Sequence, residues 1–214
     1  MINIVDLESQ VEAIFAAMIK NPAVAEALDM LDALPSNLTY HGKSHTLDVL
    51  HETILFALVD EAEPEIIELE SIAAAWHDVG YLQQYNNNEP VAVEMFKVSR
   101  AWENLSDVWR DEIVANILDT QIVLQNGAPC LLRQRSKFGY VLDADVSNFG
   151  RDDYFSNRIK IMTELKLDDA AVNDFCIFGM KLLQNHNWHT AAAKKLRQAQ
   201  KNINLKILEE KHNK

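Results

Sequence analysis

Apolar residues recur at three- and four-residue intervals along nearly the whole chain, the period of an amphipathic helix. No two-residue alternation of the strand kind persists beyond a few positions. Residues 4–19 place Val5, Val11, Ile14, Phe15 and Met18 on one helical stripe. Asn21-Pro22 has the form of an N-cap followed by proline at the first helical position, and opens a second helix to about Ala33. After a turn at Pro35, a third helix begins near Lys43 and runs to about Ala62. Pro64 starts a fourth that ends in His77-Asp78, with Gly80 standing where a helix is expected to stop. Residues 83–89 read as a polar loop, Pro90 opens one helix to about Leu105, and Ser106 or Asp107 caps another through Val123. The run Asn126-Gly127-Ala128-Pro129 is the clearest loop of the second half. Helices over 131–148, 152–165 and 168–184 follow, with a long polar one from Thr190. The pattern predicts an all-α bundle of about nine or ten helices. It reads as one domain over residues 1–214, with no linker long enough to divide it.

Composition narrows the class. At 214 residues, 48% of them hydrophobic, the chain is long enough to bury roughly 70% of its unfolded surface without covalent staples. No run approaches the roughly 18 apolar residues of a membrane span. The segment MINIVDLESQ lacks the basic and apolar regions of a signal peptide. Cys130 and Cys176 share no CxxC spacing, so reduced thiols in a cytoplasmic protein are expected. The net charge of −12 argues against nucleic acid polymers as partners. A small phosphorylated substrate is compatible with it if positive charge is supplied locally, and a bound metal is one source.

The candidate chemistry centres on histidine and aspartate. Tyr40-His41-Gly42-Lys43-Ser44-His45 carries an HxxxH spacing, which places two imidazoles on one helix face; a capping or surface pair is the plain alternative. The helix after it and the helix ending in His77-Asp78 are joined by a short turn at Pro64. They should form an antiparallel hairpin that brings His45 beside the doublet. A fourth ligand is sought among Asp143 and Asp145, two acids on an otherwise apolar helix pointing about 200° apart. Only one of them is expected to face the core, and the residues leave open which.

Taken together, YHGKSHTLDVL, AAWHDVGYL and LDADVSNFG resemble the three blocks of the HD superfamily of metal-dependent phosphohydrolases. The first and third are also similar to blocks of cyclic-nucleotide phosphodiesterases. The resemblance spans about 40–154, with flanking helices packed on that core. It implies an HD-type helical bundle in which His45, His77, Asp78 and Asp145 hold a divalent transition metal (Zn, Fe, Mn, Co or Ni). It further implies that His41 is the general acid. A metal-activated water would then hydrolyse a phosphomonoester or phosphodiester of a small, nucleotide-type substrate. Asp78, as a bridging ligand, and Lys43, as a contact to the non-bridging oxygens, complete the catalytic candidates; for Lys43 a solvated helix start is the equal alternative. No histidine lies between Asp78 and Asp145, so a second ion, Mg²⁺ among the options, would depend on Asp78 and water. That gap speaks against the di-iron oxygenases. HDVGY in place of HDIGK, with no Glu-Asp pair, departs from the HD-GYP enzymes and the (p)ppGpp hydrolases.

Lesser expectations complete the reading. Glu89 and Thr120 are candidates to support the ligands by resemblance alone. His186 and His189, flanking Trp188, read as cap and surface residues or as pocket lining. His51 is expected on the far face of its helix in solvent, His212 in the tail, and Trp76, Trp102 and Trp109 in the core. The alternatives from other classes are a regulatory module that binds a nucleotide or metal without hydrolysis, and a purely structural helical protein.

Overall fold

A computed structural model describes residues 4–131 and 133–212. The side chains of Val5 and His212, and the expectations attached to them, lie outside the described residues. The all-α reading holds: among the described residues there are eleven α-helices and two 3₁₀ turns, with one two-stranded hairpin. In order, these are α1 (Ile4–Met18), α2 (Pro22–Leu31), α3 (Lys43–Val59), α4 (Pro64–Trp76) and a 3₁₀ turn over Val79–Leu82. Next come α5 (Asn88–Lys97), α6 (Arg100–Glu103), α7 (Asp107–Asp119), β1 (Ile122–Gln125) and β2 (Ala128–Leu131). The chain closes with α8 (Tyr140–Asp145), a 3₁₀ turn over Ser147–Gly150, α9 (Tyr154–Glu164), α10 (Asp169–Asn185) and α11 (Ala191–His212).

The starts follow local chemistry. Asn21 accepts a hydrogen bond from the Ala23 amide at 2.9 Å ahead of Pro22, and Pro64 occupies the first turn of α4. Pro90 stands two residues inside α5, still within the turn whose amides need no helical partner. Three expected boundaries differ. The helix predicted over 90–105 is broken because Ser99 caps a new turn, its Oγ accepting from the Trp102 amide at 3.1 Å. The helix predicted to Val123 stops at Asp119, and residues 122–131 form a hairpin instead. Asn126 (φ 53°) and Gly127 (φ 79°) both adopt positive φ, as a tight two-residue hairpin turn requires. Among the described residues of the helix predicted over 131–148, only the six of α8 are α-helical, with a 3₁₀ turn starting at Ser147.

The α3–α4 hairpin is the centre of the bundle, with α8 laid against both helices. Leu50, Ile54, Phe56, Ile72, Trp76, Phe96, Ile113, Ile117 and Leu142 are fully buried where these meet α5 and α7. Trp76 donates from Nε1 to the Ala23 carbonyl at 2.9 Å, pinning α2 to α4. Trp102 and Trp109 pack half-buried on this core. A smaller cluster, including Phe149, Tyr154, Leu182 and Leu183, lies between α9, α10 and α11. Arg197 forks onto both oxygens of buried Glu52 at 2.7 Å, fastening α11 to α3.

A candidate metal centre at the end of the α3–α4 hairpin

His45 lies in the first turn of α3 and His77 caps the C-terminus of α4, so the antiparallel hairpin sets them side by side. Their ring centroids are 5.6 Å apart. Asp78 follows at the bend, and Asp145 comes in from the last residue of α8. Four contacts tie the group: His45 Nε2 to Asp145 Oδ1 at 3.0 Å and to Asp78 Oδ2 at 3.6 Å, and His77 Nε2 to Asp78 Oδ2 at 3.2 Å and to Asp145 Oδ1 at 3.6 Å. Bonds of about 2.0–2.2 Å to one central ion would put neighbouring ligand atoms roughly 3.0–3.5 Å apart. His77 Nε2 and Asp78 Oδ2 are buried and 3.2 Å apart, yet neither makes a hydrogen bond. Ligand atoms of His45, His77 and Asp145 lie within 4.8 Å of one another, close enough for the three residues to share one ion.

The rings are fixed from behind. His77 Nδ1 donates to the Ala74 carbonyl at 2.7 Å, which turns Nε2 toward the cluster. Burial alone would lower the His77 pKa; the Asp78 and Asp145 carboxylates override it and raise the pKa well above 6.5. Burial would conversely raise Asp78 and Asp145, and the adjacent imidazoles hold both carboxyls below their ordinary range. Glu89, at the start of α5, belongs to the same field. Burial, then the charges of Asp78 and Asp145, push its carboxyl up, and its Oε2 is buried without a partner. Three carboxylates in one enclosed space are costly unless positive charge is present.

His41 stands beside the cluster, its ring stacked on Tyr81 with centroids 4.6 Å apart and 5.8 Å from the His45 ring. Sequence reasoning missed its partner, Glu164 in the last turn of α9. Glu164 Oε1 lies 2.5 Å from His41 Nδ1 and accepts from the Tyr85 hydroxyl at 2.8 Å. Its Oε2 accepts the Tyr40 and His41 amides at 2.8 and 3.1 Å. Burial opposes ionisation, but the His41 hydrogen bond and charge outweigh it and hold the Glu164 carboxyl at about 2. In the same way the His41 pKa is raised despite a burial that would lower it. One cue was available: a carboxylate at a helix C-terminus faces the negative end of the dipole, so it needs another reason to be there.

The two aspartates of α8 are both turned inward, not one in and one out. Asp143 is fully buried and serves α11: it accepts the Thr190 amide and hydroxyl, both at 2.8 Å, and the His189 amide at 3.0 Å. Asp145 takes the cluster side. Lys43 does not join the site. At the first position of α3 its ammonium meets Asp32 at 2.7 Å in a solvent-exposed pair, so the catalytic contact expected of it has no geometric support. The amine that shares a cleft with His45 is Lys160. Gly80 does not end α4; it lets the 3₁₀ turn approach α5, where a Cβ would meet the backbone of Asn88. Thr120 returns its hydroxyl to the Ile117 carbonyl at 2.8 Å, with no hydrogen bond to the cluster.

His186 caps α10 but is a core residue, packed edge-on against Phe149 and Trp188, and burial pushes its pKa down to about 3. His189 and Trp188 line a separate cavity of about 740 Å³ with Arg133. His51 is half-exposed, 3.3 Å from Glu12 and edge-on to Phe15. Comparison with family models, with curated proteins and with solved structures gives no match to this chain.

Proposed function

We propose that the chain is a metal-dependent phosphohydrolase of the HD type, cleaving a phosphomonoester or phosphodiester of a small, nucleotide-type substrate. The observation that carries this reading is the grouping of ligand atoms from His45, His77 and Asp145 within 4.8 Å of one another, with Asp78 Oδ2 3.2 Å from His77 Nε2 and neither of those two atoms hydrogen-bonded. Two imidazoles and two carboxylates suit Zn²⁺, Fe²⁺, Mn²⁺, Co²⁺ or Ni²⁺. An ion held there supplies charge for phosphoryl oxygens and brings the pKa of a water toward about 7. The chain's own residues do the rest. Glu164 occupies Nδ1 of His41, so Nε2 is the nitrogen left to hold a proton and deliver it to the leaving oxygen. Tyr81 keeps the ring in place by stacking. Glu89, whose Oε2 is buried without a partner and whose carboxyl feels the charges of Asp78 and Asp145, would be a further acceptor for a water bound at the cluster.

A binding module without chemistry would need no imidazole held by a buried carboxylate, and a structural bundle would leave the three acids unexplained. No helix among the described residues is long and apolar enough to cross a membrane. Free Cys130 and Cys176 support a reducing, cytoplasmic setting. The test is metal content of chelator-free protein, then turnover of bis-p-nitrophenyl phosphate with added Mn²⁺, Co²⁺ or Ni²⁺. His45→Ala should lose both metal and turnover, while His41→Ala should keep metal and lose rate. Absence of both metal and turnover in the unmodified protein would sink the reading.

A further inference from the structure

Beside Asp145 and His41 a cavity of about 180 Å³ runs between α8, α9 and α10, walled by Phe149, Tyr154, Phe175, Phe178 and Leu182. One member of this lining is out of character. Arg158, on α9, is only 7% exposed and has no carboxylate within 4 Å among the described residues. It donates from Nη1 to the Tyr154 hydroxyl at 3.1 Å and from Nη2 to the Phe175 carbonyl at 3.4 Å. Its guanidinium carbon stands 5.6 and 4.7 Å from the centroids of those two rings. Two of its five N–H groups are thus used. A buried cation without a counter-ion is costly. In a chain of net charge −12, with 32 acids to draw on, the missing partner is notable. The space is also reserved: a Cβ at Gly179 would collide with the Arg158 guanidinium.

We propose that Arg158 anchors a carboxylate carried by a flat single-ring group of the substrate, whose phosphoryl end lies at the His45–His77–Asp78–Asp145 cluster. The proposal rests on the phosphohydrolase reading for the bond that is cleaved. A cavity of about 150 Å³ accepts benzene, so about 180 Å³ holds one ring with a short substituent. Phe149 and Phe175 offer ring contacts, and a guanidinium presents paired N–H groups in the geometry of a carboxylate. Among nucleotides, the cavity selects those whose base is a single ring bearing a carboxylate.

The test uses the full-length, chelator-treated protein, with benzoate and its neutral isostere benzamide as probes followed by ligand-observed NMR. Benzoate should bind about tenfold more tightly than benzamide, the discrimination expected of a hydrogen-bonded charge. Arg158→Met should bring the two within about twofold, and Arg158→Lys, which keeps charge without the fork, should keep only part of the preference. Gly179→Ala, which displaces the guanidinium, should weaken benzoate and spare benzamide, and it decides the matter if Arg158→Met does not fold. Equal affinities in the unmodified protein, no binding of either probe, or a preference that survives in Arg158→Met would each overturn the proposal. Because the probes carry no phosphate and the protein no metal, this result is independent of whether metal-dependent turnover is found.

Discussion

Replacing Glu164 by glutamine keeps the side chain's shape and removes its charge, and the consequences can be worked out in two readouts. The carboxyl is held at about 2 against an ordinary 4.5, and at about 1.4 kcal/mol per pKa unit this corresponds to roughly 3 kcal/mol. The side chain is fully shielded from solvent, so little of that is lost to screening. Its pKa is depressed on folding, so its contribution is present above pH of about 4.5 and lost as pH falls toward about 2. Glu164→Gln should therefore lower the unfolding free energy at pH 7 by up to about 3 kcal/mol. The deficit should shrink as the pH is taken down to about 3. The same change reverses the hydrogen bond to His41. The amide's carbonyl is best used on the Tyr40 and His41 amides, so its NH₂ faces Nδ1 and drives the imidazole proton to Nε2. The ring is then neutral and a poorer acid, and kcat should fall by about 10²–10⁴ with metal content unchanged. Urea denaturation across pH 3–8 and a kcat–pH profile read the two effects. A variant with unmodified stability at pH 7 and the same pH dependence would refute the argument.

Three further outcomes follow from buried groups elsewhere. Burial raises Glu70 to about 7 although Val141 and Asn116 donate to it. The folded chain keeps a proton that the unfolded one has released, so stability should fall by roughly 3 kcal/mol as pH rises from about 4.5 to about 7. Glu70→Gln should flatten that decline in denaturation curves measured between pH 4 and 8.5. Asp143→Ala leaves the buried amide and hydroxyl of Thr190 without acceptors and should cost about 2–4 kcal/mol, while metal analysis shows the same stoichiometry. At Gly80 a Cβ would come within 2.8 Å of the Asn88 carbonyl carbon, so Gly80→Ala should destabilise by about 1–3 kcal/mol in the same assay.

How far each part of the site could be read depended on how local its cause was. His45 meets His77-Asp78 because a short turn forces α3 and α4 antiparallel, and that is written in the helical period and Pro64. The choice between Asp143 and Asp145 was not. It was set by α8 having two partners, α3 and α4 on one side and the start of α11 on the other. Lys43 was assigned by nearness in sequence, and an exposed lysine goes to the acid its rotamers can reach. The loop at 126–129 is legible in the residues, but the two short strands around it are not: four residues on either side carry too little alternation to stand out from the helical period of the neighbouring segments, although Asn126-Gly127 is a strong hairpin-turn signal.

By itself the sequence determined the all-α class, most helix starts and the meeting of an imidazole pair with a carboxylate. These follow from periodicity, caps and short connections, which act within a few residues of chain. Only the tertiary structure decided that Glu164 grips His41 across 123 positions, that Asp143 serves the start of α11 while Asp145 faces the cluster, and that Arg158 lines a largely apolar cavity with no ion-pair partner among the described residues. Each depends on which helix faces which, and that is fixed by packing the whole core, not by the residues on either side.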